Sequence, residues 1–284
     1  MTERTPPSLL PTDLRSAPCR ILVVEDSPLN QMLVTAILAQ AGHRADTANN
    51  GLEALMAAQA GGYDLILMDL SMPEMDGLTA TRLLRDLPGR AGRVPVVAMT
   101  ADTEEADRVR CQDAGMNDHI AKPVDRALLL ETVEKWLHAS QTADVSAGFG
   151  PCAPAAPETA GEVLDREVLA QLAQDLEADL LADVLRQFVE ETRERVARIM
   201  AETDRTVLTR EAHTLKSTAG TFGARALCTA ARALEMACRA SAAEPQPAVS
   251  GGREAADAVD GLRSDISRLA GDAIAAYRAA GYPV

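Results

Sequence analysis

Aromatic side chains are scarce in this 284-residue chain: one Trp, three Tyr and three Phe, 2% in all. An all-β sandwich or barrel draws on such residues for its pleated faces, so that class is disfavoured. Ala and Leu fill the gap and favour helices. Cysteine is equally sparse. The five thiols, Cys19, Cys111, Cys152, Cys228 and Cys238, are odd in number and show no C-x-x-C spacing, which reads as ordinary thiols of a reducing compartment rather than a disulfide framework. Positive charge is also short, with 28 Lys+Arg against 42 Asp+Glu and a net charge of −14. No cluster of five or more basic residues occurs, so nucleic acid and anionic membrane surfaces are excluded as expected partners. No apolar run approaches the 18 residues of a membrane span, and the opening MTERTPPSLLPTDLRSAP has no apolar signal core. A cytoplasmic location is therefore expected.

What is present is organised in two halves, as the length suggests. Residues 1–18 carry Pro6, Pro7, Pro11 and Pro18 and read as a flexible lead-in. From residue 19 to 140, short apolar runs alternate with helical periodicity. The runs are ILVVED, HRADTA, YDLILMDL, VPVVAMTA and DHIAKP, and the helices fall near 28–41, 51–60, 77–86, 104–114 and 125–138. Five strand–helix repeats predict an α/β doubly wound five-stranded parallel sheet. The first and third runs are apolar almost throughout, as central strands covered on both faces are. Residues 141–161, rich in Pro, Ala, Gly and Ser, read as a flexible linker. Residues 162–284 show no strand pattern, only long amphipathic helices near 165–172, 177–202, 204–219, 224–243 and 253–280. They predict a C-terminal all-α antiparallel helical bundle.

A parallel sheet gathers ligands at the carboxyl ends of its strands. Glu25 and Asp26 close the first run, Asp69 the third and Thr100 the fourth, while Lys122 follows the fifth. Three crowded carboxylates repel one another unless a cation sits among them, and a hard, oxygen-seeking ion such as Mg²⁺ suits the set. Lys122 adds a point charge for an incoming anion, and the Thr100 hydroxyl a hydrogen bond.

With the acidic pair, the D-x-x-M-P-x-M-D-G run, the M-T-A turn and the K-P pair in this order, residues 19–140 resemble response-regulator receiver domains, whose fold is flavodoxin-like. The resemblance implies that Asp69 accepts a phosphoryl group and that Asp26, Asp69 and the Ser71 carbonyl hold Mg²⁺. It also implies that Glu25 supports the metal through water, that Lys122 binds the phosphoryl group, that Thr100 switches with it, and that Lys122–Pro123 is cis. Three residues before Lys122 the family usually has Tyr or Phe; here stands His119, either a switch residue or a plain edge-strand residue.

The second site is built around a histidine. Of His43, His119, His138 and His213, only the last has a constellation: His213, Lys216, Ser217 and Gly220 fall at i, i+3, i+4 and i+7, one helix face. A phosphoryl-accepting imidazole is expected to be exposed, with small neighbours and an exposed ammonium, Lys216, to offset the phosphate charge. The A-H-x-L-K run, the G-x-x-G-A tail and the Leu234–Glu235 pair make residues 162–284 resemble histidine phosphotransfer (HPt) domains. Most members carry glycine where this chain has Ser217.

Together the two resemblances imply a phosphorelay protein, with an upstream histidine kinase and a downstream response-regulator receiver as partners. The alternatives are a phosphate sink and the regulatory rear segment of a hybrid histidine kinase system. A DNA-binding regulator is disfavoured, since residues from 162 onward hold 20 Asp+Glu against 15 Lys+Arg. No glycine-rich ATP-binding segment and no H-E-x-x-x-P histidine is found. The expectation is a phosphotransfer protein rather than a kinase, with Mg²⁺-dependent self-phosphorylation and slow aspartyl-phosphate hydrolysis.

Overall fold

A computed structural model describes residues 18–100, 105–142, 162–243 and 251–284. The expected flexible segments, 1–18 and 141–161, lie outside the described residues except at their ends. Five strands, β1 (Arg20–Val24), β2 (Arg44–Ala48), β3 (Leu65–Asp69), β4 (Val96–Thr100) and β5 (Asp118–Ala121), alternate with α1 (Pro28–Gln40), α2 (Gly51–Ala60), α3 (Gly77–Arg85), α4 (Glu105–Asp113) and α5 (Arg126–Thr142). The sheet order is β2-β1-β3-β4-β5 and every pairing is parallel.

Side chains alternate across a strand, and the alternation builds two cores. Ile21, Val23, Leu65, Leu67, Val97 and Met99 face α1 and α5. Leu22, Val24, Ile66, Met68, Val96 and Ala98 face the side of α2, α3 and α4. This is why the β1 and β3 runs are apolar at consecutive positions. The strand order reverses between β1 and β3, the topological switch point where an open α/β sheet forms its crevice.

The helical half comprises α6 (Arg166–Asp175), α7 (Ala178–Ala201), α8 (Arg205–Thr221), α9 (Arg225–Ala243) and α10 (Gly251–Ala279). Helix α7 packs on α8 and α10, and α9 packs on α8 and α10, closing a four-helix ring with α6 against α7. Joins of only three residues, 202–204 and 222–224, turn the chain straight back between α7, α8 and α9. Gly223 makes the second turn at φ +75°, and a Cβ there would stand 3.0 Å from the Asp165 carbonyl oxygen. Phe188, Phe222 and Tyr277 form the centre, with ring centroids 5.1 and 6.0 Å apart from Phe188.

The two halves touch. Helix α1, PLNQMLVTAILAQ, is apolar around much of its circumference because the sheet covers one side and α7 and α8 approach the other. Its buried residues join those of the bundle in one continuous apolar cluster.

Candidate functional site

The switch-point crevice is where the acidic residues meet. Glu25 and Asp26 follow β1, Asp69 ends β3, Thr100 ends β4 and Lys122 follows β5. Carboxylate oxygens of Glu25, Asp26 and Asp69 lie within 4.8 Å of one another. Lys122 Nζ sits 2.5 Å from Glu25 Oε2 and 2.8 Å from Asp69 Oδ2. The Lys122–Pro123 bond is cis, as the resemblance implied. Asp69 is 2% exposed. The Ser71 N–H donates to its Oδ1 at 3.3 Å. Gly77 is required for this packing, since a Cβ there would fall 2.1 Å from the Asp69 carbonyl oxygen.

The electrostatics follow from crowding in a dry site. Burial, with the charges of Asp69 and Asp26, pushes Glu25 up to about 7 against the pull of Lys122. Burial and Asp69 raise Asp26 as well. Burial opposes the charge on Lys122, but Asp69 and Glu25 outweigh it and raise its pKa. Three carboxyl groups thus face one ammonium, an excess of acidic oxygen. Such oxygen donors fit a hard divalent cation. His119 lies on the edge strand β5, and burial lowers its pKa, favouring the neutral ring.

The histidine site lies on α8. His213 Nδ1 is 2.7 Å from Glu235 Oε1 on α9, Lys216 Nζ is 2.8 Å from Glu235 Oε2, and Arg239 Nη2 is 2.6 Å from Glu235 Oε1. Burial acts to raise Glu235, but the bonds and charges of His213 and Lys216 prevail and hold it at about 2. An ionised carboxylate only accepts hydrogen bonds, so Nδ1 is the donor, and in the neutral ring Nε2 keeps the lone pair.

Two expectations need correction. His213 and Lys216 are not exposed: they are 7% and 6% accessible. The α8 face is covered by the strand-end edge of the α/β half, and Lys216 spends its charge on Glu235 rather than facing solvent.

That cover is specific. Thr214 Oγ1 donates to Asp26 Oδ2 at 3.3 Å. Asn30 Nδ2 lies 2.9 Å from Glu25 Oε1 and 3.2 Å from Ser217 Oγ. A Cβ on Gly220 would touch Pro123 Cδ at 3.9 Å. At the far end of α1, Gln40 Nε2 donates to the Asp175 carbonyl at 2.7 Å. A cavity of ≈440 Å³ lies at the junction, lined by Asp69, Ser71 and Thr100 from one half and His213 and Arg239 from the other. With about 30 Å³ per liquid water, it has room for a phosphoryl group together with a hydrated ion.

Glu235, Arg239, Asn30 and Thr214 were not singled out as site residues by the sequence. The Leu234–Glu235 pair was visible only as a feature of resemblance.

Comparison with known families agrees with this geometry. The response regulator receiver domain matches residues 21–134 and the Hpt domain residues 183–272. Residues 21–134 are a receiver domain and residues 183–272 an Hpt domain. Histidine kinase 5 of Arabidopsis thaliana is 38% identical over 144 residues, 42% of this chain and 16% of that protein. Sensor histidine kinase GacS of Pseudomonas protegens is 33% identical over 210 residues, 71% of this chain and 22% of that protein. The chain thus spans about a fifth or less of these relatives. Among solved structures, the receiver domain of sensor histidine kinase PA1611 from Pseudomonas aeruginosa, with magnesium in its active-site cleft, is 41% identical over 43% of this chain and 99% of that one, with a TM-score of 0.41. The Saccharomyces cerevisiae complex of Ypd1 with the Ssk1 receiver matches 43% of this chain and 91% of that one at 30% identity, with a TM-score of 0.42. Among the described residues no helix is long and apolar enough to cross a membrane.

Proposed function

We propose that the chain is a phosphorelay intermediate in which Asp69 of the receiver domain, residues 19–140, passes a phosphoryl group to His213 of the Hpt domain, residues 162–284. One observation carries this reading: both residues line the same cavity. The upstream donor is a histidine kinase and the downstream acceptor another response-regulator receiver.

In the step itself, the Nε2 lone pair of neutral His213 attacks phosphorus. The Nε2–P bond forms as the P–O bond to Asp69 breaks, and the carboxylate leaves with the electron pair. The ring becomes positive, and Glu235, 2.7 Å from Nδ1, stabilises that charge. Lys122 compensates the returning Asp69 carboxylate, and Thr100 donates to the phosphoryl oxygens. Glu25, Asp26, Asp69 and the Ser71 carbonyl are the residues that would hold Mg²⁺. Bound there, Mg²⁺ neutralises charge on the phosphoryl oxygens.

The test separates an internal relay from two independent sites. Tethering gives an effective concentration on the order of millimolar. Full-length chain loaded with a small acyl phosphate and Mg²⁺ should move label to His213 at a rate independent of protein concentration. An Asp69→Asn chain mixed with a His213→Gln chain at about 1 μM should be roughly a thousandfold slower. A mixture as fast as wild type sinks the internal step.

A further inference from the structure

The polar junction beside the cavity carries one contact that the transfer chemistry does not need. Asn30 stands in the first turn of α1, set there by the Ser27 cap, and its amide nitrogen lies close to two acceptors, Glu25 Oε1 and Ser217 Oγ. Glu25 is bound through its other oxygen to Lys122, and Lys122 to Asp69. Ser217, one helical turn from His213, is thereby linked to the acceptor aspartate through three buried side chains. In this orientation the amide nitrogen donates to both acceptors, while its oxygen is buried without a hydrogen-bond partner. A glycine or alanine at 217 would remove one acceptor from a buried N–H group.

The bond also depends on register. Ser217 follows His213 by four residues on the same face of α8, so its hydroxyl meets Asn30 when His213 faces the Asp69 cavity. We infer that Ser217 and Asn30 are a specificity-determining pair, by which this Hpt face favours receiver edges that present an amide five residues beyond the first acidic residue. The inference rests on the Asp69–His213 exchange and names what selects the partner. Neither residue touches the transferring group; both are positioning residues.

The experiment uses full-length chains in trans. Asp69→Asn chains supply the Hpt face and phosphorylated His213→Gln chains supply the receiver edge, with rates normalised to the phosphorylated fraction. Ser217→Ala, which deletes only the hydroxyl, should lower exchange with the Asn30 donor about tenfold, the cost of stranding one buried hydrogen-bonding group. With an Asn30→Ala donor the same substitution should change the rate less than twofold. Equal loss with both donors assigns Ser217 to the stability of the bundle and overturns the inference. An unchanged rate with the Asn30 donor overturns it as well. If wild-type chain exchanges label between Asp69 and His213 while Ser217→Ala is silent, this inference alone fails. If wild type shows no exchange, the relay reading fails and takes the inference with it.

Discussion

Glu235 is the residue whose replacement tests the histidine chemistry most directly. It is 1% exposed and accepts from His213, Lys216 and Arg239 at once. Removing it outright would withdraw the buried carboxylate from His213, Lys216 and Arg239 together, a cost of about 3–5 kcal/mol, enough to confuse loss of transfer with loss of fold. Glu235→Gln keeps the shape and one acceptor oxygen, but it deletes the charge and turns the second oxygen into an N–H donor, so a urea titration must show that the variant is folded. A hydrogen bond to a charged group contributes about 1.5–3 kcal/mol and a neutral one about 1. The substitution therefore withdraws about 0.5–2 kcal/mol from the positive ring that forms in the transition state. Transfer should slow by roughly 2- to 30-fold. Rapid-quench measurement of label passing from Asp69 to His213 reads the rate. Nitrogen-detected NMR reads the ring, where wild type should carry its proton on Nδ1 and its phosphoryl group on Nε2. A Glu235→Gln chain that transfers within twofold of wild type, or a phosphoryl group found on Nδ1, refutes the assignment.

Two further outcomes follow from the same site. A small acyl phosphate with Mg²⁺ should label a His213→Gln chain, leave the Asp69→Asn, His213→Gln double variant unlabelled, and label at least about a hundredfold more slowly after chelation of the metal, since a bound divalent ion supplies several kcal/mol; equal labelling of the double variant would move the acceptor elsewhere. Glu235 is held at about 2 against an ordinary 4.5, so its contribution is fully present above about pH 4.5 and is lost as the pH falls toward 2. Urea titrations of wild type should lose up to about 3 kcal/mol over that window, and Glu235→Gln should flatten this part of the acid limb.

The receiver edge was legible because its chemistry lies at strand ends, and strand ends are marked by where apolar runs stop. ILVV gives way to Glu25 and Asp26, LILM ends on Asp69, and the sheet order then brings them together without further information. Gly77 was legible as part of a motif, but its reason, the 2.1 Å approach to the Asp69 carbonyl, was not. Glu235 was harder to assign. It lies 22 residues beyond His213 on the next helix, and the rotational phase of α9 against α8 is set by tertiary packing. The burial of His213 and Lys216 was misjudged because a helix face with small residues looks free until something covers it. A signal existed in PLNQMLVTAILAQ, too apolar for a helix with one side in water.

The same burial constrains how the relay runs. Asp69 opens onto the cavity that His213 lines, and α1 is covered by α7 and α8. An outside phosphohistidine must approach Asp69 from that edge, and an outside receiver must reach His213 from the face now turned inward. In the proposed relay, the two external exchanges and the internal one therefore compete for one junction and proceed in sequence, with undocking between them. Tethering makes this workable. At an effective concentration on the order of millimolar, an interface with an intrinsic dissociation constant of about 1 mM, worth about 4 kcal/mol, is docked half the time. Much tighter docking would shut out the donor kinase, and much weaker docking would give up the internal acceptor. A junction stitched by a few polar contacts such as Thr214–Asp26, Ser217–Asn30 and Gln40–Asp175, each net about 0.5–1.5 kcal/mol, can be adjusted one contact at a time to sit between those limits.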